Sequence, residues 1–164
     1  MRLKHWLPLL IALIWSNVQA AGVGSPAPGC AIPMLEGNRQ VDPAALPGKV
    51  VYLDFWASWC GPCVESFPFI EQMHRDLKGQ GLEVVAINLD EERQDAEDFL
   101  SKHPVSFTIG SDPMGKCPRL YKVNGMPTSY LIDRKGRIQD IHEGFESGDA
   151  PKIRAQIESL LSQP

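Results

Sequence analysis

The chain has 164 residues, 43% of them hydrophobic and 22% charged, with a formal charge of −4. This is enough for one globular domain and too little for two of ordinary size. The weak acidity argues against a nucleic-acid binder, and no run of like charge forms a tail.

Residues 1–20 read as a secretory signal. Arg2, Lys4 and His5 make a basic start, and Trp6 to Trp15 is apolar apart from Pro8. Val18-Gln19-Ala20 then supplies small residues at the −3 and −1 positions of a cleavage site. An apolar core of about ten residues is short for a membrane span. The alternatives are an uncleaved anchor, with membrane contact through it, or a buried first helix. A mature domain is expected over 21–164. Cys30 is not a lipid-anchored cysteine, because it lies behind Pro26-Ala27-Pro28-Gly29, well past the apolar core.

Ile32 to Leu35 and Arg39 to Val41, joined by Glu36-Gly37-Asn38, predict a small amino-terminal hairpin. Lys49 to Phe55 is a continuous apolar run, the pattern of a strand buried on both faces. Pro62 to Lys78 predicts a helix, with proline in its first turn and Gly79 at its end. Glu83 to Leu89 is a second buried strand, Asp95 to Lys102 a helix, Ser106 to Ile109 a short strand and Lys116 to Lys122 a short helix. Thr128 to Ile132 and Ile138 to His142 flank a glycine-containing turn and predict a second hairpin. A last helix is expected over Ala150 to Leu161, capped by Asp149, with Ile153, Ile157, Leu160 and Leu161 on one face. Alternating βα units closed by an antiparallel pair imply an α/β fold, a mixed central sheet flanked by helices.

Trp59-Cys60-Gly61-Pro62-Cys63 carries the chemistry. It falls where the first buried strand ends and the first helix begins. Free N–H groups and the positive end of the helix dipole favour a thiolate at Cys60, the attacking sulfur. Cys63, one turn on, is close enough to close a disulfide and serves as the resolving cysteine. Structural zinc would need two further ligands at short spacing, whereas Cys30, Cys117 and the histidines are dispersed. A purely structural bridge is the other alternative, and so short a loop makes it easily reduced.

Val50 to Cys63, VVYLDFWASWCGPC, resembles the active-site segment of thioredoxins almost residue for residue, and Gly125-Met126-Pro127-Thr128 resembles that family's cis-proline loop. Gly24 to Pro28 and Tyr121 to Asp133 are similar to the secreted branch typified by TlpA and ResA. The resemblance implies a thioredoxin fold with the amino-terminal hairpin as an extension. It implies Asp54 as a buried carboxylate exchanging a proton with Cys63, and a cis bond before Pro127. Met126, Pro127, Trp59, Gly61 and Pro62 would contact an extended protein substrate. It further implies a periplasmic or secreted reductant of protein disulfides, serving cytochrome c maturation or copper-site assembly, with a DsbD-type membrane electron donor and no cofactor or metal. An oxidant or isomerase, and a noncatalytic binding or chaperone module, are the alternatives. A thiol peroxidase would need a Pro-x-x-x-Thr/Ser-x-x-Cys setting that Ala57-Ser58-Trp59-Cys60 lacks.

Three positions depart from the family. Val84 to Asn88 lacks the lysine that cytoplasmic thioredoxins place near the buried aspartate; Glu65 stands one position before the glutamate of many TlpA-like chains and is expected on a solvated helix face; Cys30 replaces an aromatic. In an oxidising compartment Cys30 and Cys117 are expected to pair. Two separate buried thiols, or a second redox or copper-handling role, are the alternatives.

Overall fold

In the computed structural model, which describes residues 21–163, the apolar run forms β3 (Val50–Trp56) at the middle of a five-stranded sheet. A two-stranded hairpin, β1 (Ile32–Pro33) and β2 (Gln40–Val41), precedes it. Then come α1 (Gly61–Leu77), a 3₁₀ turn (Lys78–Gln80), β4 (Leu82–Asn88), α2 (Arg93–Lys102), β5 (Thr108–Ser111) and α3 (Lys116–Tyr121). β6 (Thr128–Ile132), β7 (Ile138–Glu143) and α4 (Ala150–Leu161) close the chain. The sheet order is β5-β4-β3-β6-β7, with β3 parallel to β4 and antiparallel to β6. The expected mixed sheet and amino-terminal hairpin are both present. The signal segment 1–20 lies outside the described residues.

Alternation along β3 divides the core in two. Val50, Tyr52 and Trp56 pack with Cys63, Phe67, Ile70, Met73 and Leu77 of α1 and with Ile153 and Ile157 of α4. Val51, Leu53 and Phe55 pack on the other face with Cys30, Ile32, Cys117, Tyr121 and Tyr130. Both faces are covered, which is why β3 reads as apolar sequence broken only by Asp54. The hairpin seals the β5 edge through a Met34–Gly110 bridge and a Leu35 N–H bond to Ile109 O of 2.8 Å. A β-carbon at Gly110 would fall on Ile32 Cδ1, so only glycine lets the hairpin close there.

Three expectations are corrected. The first helix does not stop at Gly79: it tightens into the 3₁₀ turn and ends at Gly81, whose φ of +104° is left-handed. Arg134 occupies the space beside Gly81, donating to Gly48 O at 2.7 Å, Leu161 O at 3.1 Å and Gln163 O at 3.3 Å. It thereby ties α4 to the entry of β3, at the end of the sheet away from the cysteine pair. Asp149 stands at the start of α4 but makes no capping bond, because its own backbone is already helical. Its Oδ2 instead accepts from Glu146 N at 2.8 Å and faces His142 Nε2 at 3.2 Å. The edge strand β5 starts later than the pattern suggests, at Thr108, because the Ser106 N–H is taken by Glu71 Oε2 at 2.7 Å. One feature had no forecast: Pro68 sits inside α1 on its exposed face, where the lost backbone bond leaves a carbonyl that water can satisfy.

Candidate active site

β3 delivers the chain to the rim of the sheet at Trp56, and Ala57–Trp59 turn it into α1. Cys60 holds the position before the helix with extended backbone, φ −81° and ψ 102°, and no side chain caps the first turn. That turn carries no acidic residue, so its free N–H groups and dipole face the sulfurs unopposed. The Cys60 N–H donates to Ala57 O at 3.1 Å and the Cys63 N–H to Cys60 O at 3.2 Å. Cys60 and Cys63 are joined as a disulfide, Cα to Cα 5.3 Å. Both cysteines are buried, but Cys60 keeps 4% exposure and Cys63 none, so Cys60 is the one of the two that touches solvent. Trp59, 73% exposed, stands beside it, and Gly61 and Pro62 are exposed as well.

Asp54 is buried in β3, opposite Ala86 of β4 and Ser129 of β6. Strand parity puts it on the face of Tyr52 and Trp56, the face that packs on α1. Its Oδ2 has no hydrogen-bond partner, and burial pushes its carboxyl well above the usual carboxylate range. The Tyr52 phenol is pushed up chiefly by burial, then by the Asp54 charge. A buried carboxyl whose proton affinity is raised in this way is, when ionised, a strong base able to accept a proton from a thiol and return it later.

Met126 packs against the same apolar cluster as Cys60 and Cys63, and the Met126–Pro127 bond is cis. The Gly144 N–H donates to Pro127 O at 2.8 Å, so the β7–α4 loop supports this segment from behind. Cys30 and Cys117 lie on the opposite face of the sheet, joined as a second disulfide with a Cα separation of 5.6 Å. Asp42 Oδ1 accepts from Cys30 N at 3.1 Å, and Asp112 Oδ2 from Cys117 N at 2.7 Å, fixing both ends of that bridge. Among the described residues no group of three or more His, Cys, Asp or Glu is placed to hold a metal. Glu65 lies on the solvent face of α1.

The sequence pattern passes over Ser58, Asn88 and Asp90. Asp90 follows an apolar strand and reads as an ordinary loop acid, yet it is 3% exposed. Its carboxylate accepts from Ser58 N at 2.9 Å and Ser58 Oγ at 2.9 Å, across 32 residues of chain. An acid at the end of an apolar strand with an asparagine two positions before it is the sign the sequence carries.

A family model described as Redoxin matches residues 22–157. The thiol-disulfide oxidoreductase ResA of Oceanobacillus iheyensis is 33% identical over 127 residues, 74% of this chain; the match spans just under two thirds of that protein, 65%. ResA of Geobacillus kaustophilus is 33% identical over 167 aligned positions, covering 98% of this chain and 94% of its own. Among solved structures, one described as a thiol:disulfide interchange protein DsbE from Chlorobium tepidum has a TM-score of 0.83 at 47% identity. It covers 87% of this chain and 100% of that one.

Proposed function

The chain belongs to the Redoxin family, and on that premise we propose that it is an extracytoplasmic thiol-disulfide oxidoreductase acting on protein disulfides through Cys60 and Cys63. The observation that carries this reading is a disulfide-bonded cysteine pair set across the first turn of α1, Cys60 nearly buried and Cys63 wholly so. In the reduced chain the Cys60 thiolate attacks one sulfur of a client disulfide, and the other client sulfur leaves as thiolate. Cys63 gives its proton to the Asp54 carboxylate, attacks the Cys60 sulfur and releases the client's second sulfur. The products are a client dithiol and the Cys60–Cys63 disulfide. Trp59, Gly61, Pro62, Met126 and Pro127 border the reacting sulfurs and form the client-binding rim of this proposal. Dithiothreitol-driven insulin reduction by the chain, set against its Cys60→Ser variant, tests the chemistry; equal rates would end it.

The direction we assign is reduction, supported by the Gly-Pro between the cysteines and by the ResA relatives, with a DsbD-type membrane protein as electron source. A pair whose potential lies near the thioredoxin value of about −270 mV fits a reductant; one near about −120 mV would make it an oxidant. Residues 1–20 act as a cleaved export signal in this reading. Amino-terminal sequencing of the exported protein is expected to begin at Ala21, and a retained Met1 would replace cleavage with anchoring. Among the described residues no helix is long and apolar enough to cross a membrane.

The Cys30–Cys117 bridge is assigned a structural role, since it is buried on the far face and ties the amino-terminal segment to α3 across 87 residues. Replacing both cysteines by alanine is expected to lower unfolding free energy by about 2–4 kcal/mol. Insulin reduction at 25 °C should stay within about twofold of wild type, as exchange at Cys60 does not pass through this bridge. Urea denaturation decides it, and an unchanged midpoint would remove the structural role.

A further inference from the structure

β3 and β4 part company just below the cysteine pair. The Leu89 N–H still reaches Trp56 O at 2.9 Å, but beyond it one chain turns into α1 and the other toward α2, and the ladder ends. The Ala57–Trp59 turn therefore lacks sheet bonding at the point where it must deliver Cys60. Asp90 replaces the ladder there. Its Oδ2 accepts from Ser58 N at 2.9 Å and from Asn88 Nδ2 at 2.7 Å, and its Oδ1 accepts from Ser58 Oγ at 2.9 Å. Asn88 Oδ1 in turn accepts from Asp90 N at 3.1 Å, which fixes the carboxylate's orientation. Asp90 and Asn88 are buried and Ser58 half-buried, so these charge-assisted bonds are little screened and their loss is costly.

We infer that Asp90 is a positioning residue for Cys60: by clamping Ser58 it holds the turn whose Ala57 carbonyl receives the Cys60 N–H, and so sets the Cys60 sulfur opposite Cys63. The position of Cys63 is set separately, by the helix. Cystine formation within the pair depends on how often the two sulfurs meet, and a clamp on one of them raises that effective concentration. Asp90 touches no reacting atom and acts through Ser58 alone. The inference rests on the exchange reading above.

The test is the equilibrium of the purified chain with glutathione, in which two glutathione thiols reduce the Cys60–Cys63 disulfide and one oxidised glutathione forms. Asp90→Asn keeps the size but turns one acceptor into a donor aimed at Ser58 or Asn88. Its equilibrium constant for closing the disulfide is expected to fall about tenfold, a potential about 30 mV less negative. Ser58→Ala removes one bond of the clamp and should lower the constant about threefold, the double variant falling no further than Asp90→Asn alone. Arg134→Ala, which loosens the opposite end of the sheet, should lower the unfolding midpoint and leave the equilibrium unmoved. An Asp90→Asn constant within about twofold of wild type, or a shift matched by Arg134→Ala, overturns the inference. Should Asp90→Asn not fold, Ser58→Ala decides alone, and a wild-type constant there overturns it. A wild-type chain that never equilibrates with glutathione overturns the exchange reading itself, and this inference with it.

Discussion

Cys60→Ser is expected to reduce insulin reduction to the rate of dithiothreitol alone, a loss of at least about a hundredfold in catalysed turnover, because the thiolate is the nucleophile and an alcohol does not replace it. Cys63→Ala should behave differently. Its Cys60 can still attack, but nothing beneath it displaces the client, so a mixed disulfide accumulates and is visible as a band that reductant removes. The asymmetry follows from burial: Cys60 keeps 4% exposure and Cys63 none. Exchange of roles between the variants, with Cys60→Ser trapping the client, would reverse the assignment. The absence of acid in the first turn of α1 adds a pH signature. Alkylation of reduced Cys60 should rise with pH around a midpoint below the ordinary cysteine value of about 8.5. A midpoint at or above that value would remove the helix-tip argument.

Asp54→Asn is expected to stabilise the oxidised protein increasingly as pH rises, while slowing exchange. Burial raises the carboxyl's pKa in the folded chain above its unfolded value. Below the ordinary aspartate range both states hold the proton and Asp54 imposes no pH dependence. As pH climbs through that range the unfolded chain ionises first, so stability drains away at up to about 1.4 kcal/mol per pH unit until the folded group ionises too. Asparagine has no such titration. The advantage of Asp54→Asn over wild type in urea denaturation should therefore be larger at pH 8 than at pH 5. How the amide packs sets the intercept of that comparison but not its slope. A difference that stays flat with pH would show an unperturbed carboxyl. In the proposed mechanism the same variant leaves Cys63 without its proton acceptor, and exchange should slow about tenfold or more, with mixed disulfide persisting longer than in wild type.

Both experiments concern residues that stand within one segment, Val50 to Cys63, and that segment explains why so much was legible. A strand buried on both faces must be apolar throughout, so VVYLDFW announces its place, and a lone aspartate within it announces a special role. A helix must begin where proline fits its first turn, so Pro62 marks the start of α1 within one residue. Helix ends and caps were less legible. Gly79 and Gly81 look alike in one dimension, and only the approach of Arg134 to Gly81 shows which of them ends the helix. Asp149 has the right residue type at the right place, yet its carboxylate turns back to Glu146 N and His142.

The sequence by itself determined the βα order, the two buried strands and the reactive pair, because each is a contact between residues a turn or two apart along the chain. The Cys30–Cys117 pairing, which the cysteine count suggested beside two alternatives, was decided by the tertiary structure, and that structure alone showed Asp90 reaching Ser58; the contacts span 87 and 32 residues. Such contacts leave no periodicity. They exist because β3 and β4 lie side by side and because α3 folds back over the sheet, and residue type can suggest such a partner but only the folded chain fixes it.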